Sequence, residues 1–183
     1  MIKNNGFLVV QKSPTVNKGR YNPLYRGVYR LTPWSMENFK KGFEDPYLSP
    51  KYATDDGFIP NLPLAQDVLL QFSTIVKAED LEILYIRERN ETEDMELLPV
   101  SGLNILGFDV ASDSSPFWSV VDDFPPPDEL ELQAYLGQLN QNGLFDSVDV
   151  ARDYLGAYLR RYPEDKESGL VVWEVYLVPQ TGD

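Results

Sequence analysis

Three observations predict an α+β domain, with a mixed or antiparallel sheet, helices packed on it and a central C-terminal strand. First, residues 171–178 read Val-Val-Trp-Glu-Val-Tyr-Leu-Val. Both alternating faces of this run are largely apolar, the pattern of a strand covered on both sides. Second, Val148, Ala151, Leu155, Tyr158 and Tyr162 form a 3.6-residue stripe over 146–162, the strongest helix in the chain. Third, β-rich runs and helical patterns do not alternate one for one. The order is strands, a helix, a long loop, strands, three helices and a final strand. A length of 183 residues with 43% apolar content supports one domain over 1–183, and no internal repeat is evident.

In order along the chain, Phe7-Leu8-Val9-Val10 is a short strand run that Ser13-Pro14 closes. A basic loop with Lys12, Lys18 and Arg20 follows. Residues 25–31 alternate as a strand with one wetter face. Thr32-Pro33-Trp34-Ser35 opens a short helix, with Met36, Phe39 and Phe43 on one face. Residues 45–63 carry four prolines and no period, so they read as a long loop, with Tyr47, Tyr52 and Phe58 in it. Those aromatics either pin the loop to the core or belong to a recognition surface.

Residues 64–77 are ambiguous. Val68, Leu69, Phe72, Ile75 and Val76 fit a helix slightly better than a bent strand. Residues 81–87 read as a strand, 90–96 as a charged turn, and 103–110 as a buried strand apolar on both faces. A turn at 112–116 leads into a short helix over 117–123, then the rigid spacer Pro125-Pro126-Pro127. An amphipathic helix over 128–139 and a turn at Asn142-Gly143 precede the 146–162 helix. Asp146 and Asp149 suit the positive end of that helix, and Pro163 ends it.

Composition excludes more than it identifies. There is no Cys, which rules out a disulfide scaffold, a zinc–thiolate site, an iron–sulfur cluster and a Cys nucleophile. There is no His, which rules out Ser-His-Asp and Cys-His mechanisms and His-ligated metals. Carboxylate, Lys, Tyr or Ser-Lys chemistry remains, or none. The 29 acidic residues against 16 basic ones leave a net charge of −13. Such a chain is repelled by nucleic acid and by anionic membrane surfaces, and it attracts basic protein partners. No signal peptide and no membrane-spanning apolar run is visible, so the expected location is the cytoplasm.

Neither G-x-x-x-x-G-K-[ST] nor G-x-G-x-x-G occurs, so no phosphate loop is read. Asp109, Asp113, Asp122 and Asp123 come nearest to a carboxylate cluster. Their spacing does not match a calcium loop, and the plainer reading has Asp109 bonding the following turn. No cofactor and no metal are expected.

The segment Gly107-Phe108-Asp109-Val110, the expected Ser119-Val120 helix, and Leu139-Asn140-Gln141-Asn142-Gly143-Leu144-Phe145 before a Tyr-rich helix carry a resemblance over about 97–178. They are similar to immunity proteins of bacterial polymorphic-toxin and contact-dependent inhibition systems. That resemblance implies a non-enzymatic, protein-binding protein that blocks the active site of one cognate toxin. The charge points to a basic, nuclease-type toxin domain as the partner. Exposed acids and aromatics are the expected contacts: Asp55, Asp56, Phe58, Asp113, Phe117, Trp118, Asp122 and Asp123. Two other classes stay open. One is a metal-dependent enzyme built on Asp109, Asp113 and Asp122; the other is an assembly component of a phage or secretion apparatus.

Overall fold

The computed structural model describes residues 5–12, 28–30, 49–52, 58–75, 77–89, 102–113, 115–121 and 129–179. The elements are β1 (Asn5–Lys12), β2 (Val28–Arg30), α1 (Leu62–Phe72), β3 (Leu81–Glu88), β4 (Asn104–Ser112), β5 (Ser115–Ser119), α2 (Leu130–Leu136), α3 (Val148–Arg161) and β6 (Leu170–Leu177). The strands form one sheet in the order β2-β1-β3-β6-β4-β5, and every neighbouring pair is antiparallel. The fold is α+β, and of the two predicted sheet types it is the antiparallel one. Among the described residues no helix is long and apolar enough to cross a membrane.

β6 lies between β3 and β4, the central position its sequence predicts. Strand alternation puts Val172, Glu174 and Tyr176 on one face and Trp173 and Val175 on the other, and all five are buried. Burying one such apolar side chain contributes roughly 1.5–3 kcal/mol, so this strand anchors both halves of the core. On the Val172 face, Val110 of β4 joins Ala151, Tyr154 and Ala157 of α3 in one cluster. The two alanines flanking Tyr154 bring the helix close to the sheet. The Tyr154 hydroxyl donates to the Val120 carbonyl at 2.8 Å, so its polar tip is satisfied inside this core. The buried line of α3 is therefore Ala151, Tyr154 and Ala157, one step round from the predicted stripe, whose remaining members are half-buried.

α1 resolves the ambiguity of 64–77 in favour of helix. Asn61 caps it by accepting from the Leu64 N–H at 3.0 Å, and a proline stands in the first turn, where a missing N–H costs nothing. Ala65, Val68 and Phe72 form its buried line, and it packs on β1 and β3. The predicted loop 45–63 is thus shorter at its C-terminal end.

Three other expectations are corrected. Residues 115–119 are a strand, not the start of a helix: β5 pairs with β4 through Ser112↔Ser115 and Ala111↔Ser119. The Ser112↔Ser115 pair joins consecutive strands as a hairpin. Pro116 is tolerated because an edge strand needs no donor on its outer side. β4 is not buried along its whole length, since Ile105 is 52% exposed. The helix expected over 128–139 is only the seven residues of α2, with Leu130 exposed and Leu132 and Leu136 buried. The predicted helix after Ser35, the charged turn at 90–96 and the proline spacer lie outside the described residues.

Candidate functional site

The segments that carry the resemblance meet in space. Phe108 and Phe145 exchange backbone hydrogen bonds of 2.8 and 2.9 Å. Asn140 Nδ2 donates to the Leu106 carbonyl at 2.8 Å and to Asp146 Oδ1 at 2.7 Å. Its Oδ1 accepts from the N–H groups of Asn142 and Leu144. This corner clamps a bulge in β4, where the pairing with β6 shifts between Ile105 and Gly107. Gly107 has φ +144°, and a Cβ there would come within 2.7 Å of Leu144 Cβ and the Phe145 carbonyl. Backbone geometry therefore accounts for the glycine and for the first asparagine of the motif.

The predicted contact residues are distributed unevenly. Asp113 is exposed in the β4–β5 turn, where its N–H donates to the Gly169 carbonyl at 2.7 Å. Phe117 and Trp118 lie in β5, an edge strand of the sheet. Phe58 is a correction: it is 3% exposed and stacks 5.7 Å from the Trp173 ring, beside Gly6. Its ring is apolar, and the bridge between Phe7 and Ile59 draws residues 58–59 against β1. Phe58 pins the chain to the core and presents no surface to a partner. Asp55, Asp56, Asp122 and Asp123 lie outside the described residues.

Asp109 is committed to the fold. Its Oδ1 accepts from the Ser119 hydroxyl at 2.6 Å and from the Val110 N–H at 2.8 Å, tying β4 to β5. Among the described residues no three acidic side chains converge as a metal-holding group.

Sequence reading missed the most unusual chemistry in the described part. Among the described residues Glu174, 4% exposed, is the one charged residue in the buried core. Register places Arg87 of β3 opposite it. The Arg87 Nε donates to Glu174 Oε2 and its Nη2 donates to the Tyr176 hydroxyl at 3.2 Å. Arg89, two residues on and on the same face, reaches Glu174 Oε1 at 3.0 Å. The Tyr176 hydroxyl donates to Glu174 Oε2 at 2.8 Å, and the Arg87 guanidinium lies 5.6 Å from the Tyr176 ring centre. Tyr85 sits beside Tyr176 with ring centres 6.2 Å apart. Its hydroxyl is buried and has no hydrogen-bond partner among the described residues.

Electrostatics follow from this packing. Burial pushes the Tyr176 hydroxyl up to about 12, and its hydrogen bond to the Glu174 carboxylate adds to the rise. Tyr176 therefore remains a donor at any ordinary pH. Burial also raises Tyr85, against a lowering by Arg87. For Arg87, burial disfavours the charge, but the hydrogen bond and charge of Glu174 outweigh it and raise the group further. The signal in the sequence was a lone carboxylate in the most apolar strand, with Arg-x-Arg at the end of another.

Each arginine with a described side chain is already paired with a carboxylate. Arg152 lies 3.9 Å from Asp149, Arg160 2.8 Å from Glu131, and Arg161 2.6 Å from Glu129. By contrast, Asp153, Glu164 and Glu167 are exposed and have no ion pair among the described residues. Comparison with family models, with curated proteins and with solved structures finds no match to this chain.

Proposed function

We propose that this chain is a non-enzymatic binding protein that neutralises a basic toxin domain, in the manner of an immunity protein. One observation supports the reading above the rest: among the described residues the arginines are spent on internal carboxylates, while exposed acids on α3 and after it remain without a cation. In a chain of net charge −13 this leaves an anionic surface, which steers a cationic protein and raises its association rate. The edge strand β5 carries Phe117 and Trp118 next to the exposed Asp113, and aromatics beside acids are the usual composition of an interface hot spot.

The test is a pull-down of the tagged chain from its native host, eluted with a salt gradient. The reading requires one stoichiometric basic protein whose toxicity, when expressed alone, is suppressed by co-expression of this chain. Trp118→Ala should weaken that complex at unchanged thermal stability. Asp153→Lys together with Glu167→Lys should slow association. A captured protein that is harmless alone, or a complex indifferent to both salt and these substitutions, refutes the proposal.

A further inference from the structure

We infer that Tyr85, Arg87 and Arg89 form a binding site for a small oxyanion, a carboxylate or phosphate group carried by a small molecule. The first argument is charge. Arg160 and Arg161 each have their own glutamate, whereas Arg87 and Arg89 share Glu174 alone among the described residues. Both carboxylate oxygens of Glu174 are already accepting, Oε1 from Arg89 and Oε2 from Arg87 and Tyr176. Among the described residues one positive charge is left over at the end of β3, in a molecule with a large excess of negative charge elsewhere.

The second argument is the inventory of donors. A guanidinium carries five N–H groups in a planar fork that matches carboxylate and phosphate oxygens. Arg89 uses one of its terminal nitrogens, and Arg87 uses Nε and Nη2. The Tyr85 hydroxyl, on a residue 1% exposed, uses none. A buried hydroxyl without a partner is uncommon enough to call for an occupant. The third argument is placement. Tyr85 and Arg87 alternate along β3 and share one face, and Arg89, just past the strand's end, turns to the same face to reach Glu174. Exposure rises along them, from the buried Tyr85 through Arg87 at 15% to Arg89 at 45%. An anion arriving from solvent meets Arg89 first and ends against the hydroxyl. This site is independent of the proposed toxin contact.

The experiment is calorimetric titration and thermal unfolding with sodium phosphate and, separately, sodium succinate, at pH 7 and constant ionic strength set with sodium chloride. The expected result is saturable binding of at least one of the two anions, and which one it is separates phosphate from carboxylate ligands. Binding should weaken about tenfold in Tyr85→Phe and at least as much in Arg89→Gln. Tyr85→Phe keeps the ring, Arg89→Gln keeps a polar side chain without the charge, and Arg160→Gln, on the exposed surface, should leave the response intact. The inference is overturned if neither anion acts beyond chloride at equal ionic strength. It is also overturned if the response survives in Tyr85→Phe or in Arg89→Gln, since that is the general stabilisation by excluded anions.

Discussion

Replacing Glu174 by alanine should destabilise the protein by about 3 kcal/mol, and the size of this loss follows from who is left behind. The carboxylate accepts from Arg87, Arg89 and the Tyr176 hydroxyl, and its own side chain is 5% exposed. Hydrogen bonds to a charged group contribute roughly 1.5–3 kcal/mol each, but taking the carboxylate out of water costs several kcal/mol, so the bonds cannot be added up. What alanine leaves is the Arg87 charge, 15% exposed, with no counter-ion. Stranding a buried ion costs roughly 3–5 kcal/mol. Arg89, at 45% exposed, turns out to water, which puts the loss at the lower end of that range. Against a total stability on the order of 5–15 kcal/mol this is severe. Urea unfolding followed by far-UV circular dichroism measures it. With a slope of about 2 kcal/mol/M the midpoint should fall by about 1.5 M at constant slope. Glu174→Leu combined with Arg87→Met should recover most of the loss, because an apolar pair of similar volume often equals a buried ion pair. A loss below about 1 kcal/mol for Glu174→Ala, or a double variant no better than the single one, refutes this reasoning.

Three further outcomes are expected. Tyr85→Phe removes a buried hydroxyl that has no partner, so in chloride buffer free of other anions it should stabilise the protein by up to about 1 kcal/mol, read as a higher melting temperature. A comparable loss would mean that the hydroxyl is bonded. Tyr176 has a folded pKa of about 12 against 10 in the unfolded chain. The folded state therefore holds the proton longer, and the stability linked to it is complete below pH 10 and disappears as pH rises through 12. That loss is up to about 2.7 kcal/mol, and it should be missing from the alkaline limb of the Tyr176→Phe variant. An unchanged limb would contradict the assignment. Gly107→Ala forces a side chain into φ +144° and against the Leu144–Phe145 backbone, so it should cost about 3 kcal/mol in chemical unfolding. A neutral result would mean that the β4 bulge relaxes without that glycine.

What the sequence makes legible is what a local pattern can carry. β6 reads as central because a strand apolar on both faces has to be covered on both. α3 reads as a helix from its period, although its buried line is shifted towards Tyr154, whose hydroxyl finds a carbonyl in a segment far away in sequence. β5 was misread because Asp113-Ser114-Ser115-Pro116 offers caps and a helix-opening proline. Only pairing with β4, with Asp109 holding Ser119, shows that the same residues make a hairpin. Phe58 looked like a surface aromatic because its neighbours are acidic and its segment lacks a period, but the ring gains more by stacking on Trp173. In each misreading, a contact far along the chain overruled a local signal.

The Glu174 cluster is the limiting case of the same argument. One carboxylate among apolar residues is visible in the sequence, and so is Arg87-x-Arg89, yet nothing local relates positions 85 and 87 residues apart. Antiparallel register joins them, with Arg87 opposite Glu174 and Glu88 opposite Trp173. A slip of one residue would turn Arg87 to the other face, against the Trp173 side, and leave Glu174 without its partner. The ion pair therefore penalises wrong register in the one place where β3 and β6 are otherwise apolar and tolerant of slippage. This role explains Arg87 and Glu174 fully. It leaves over Arg89, which adds a second cation to a carboxylate already bonded, and Tyr85, whose hydroxyl bonds to nothing among the described residues. A register lock needs neither, and it is this remainder that the anion titration examines.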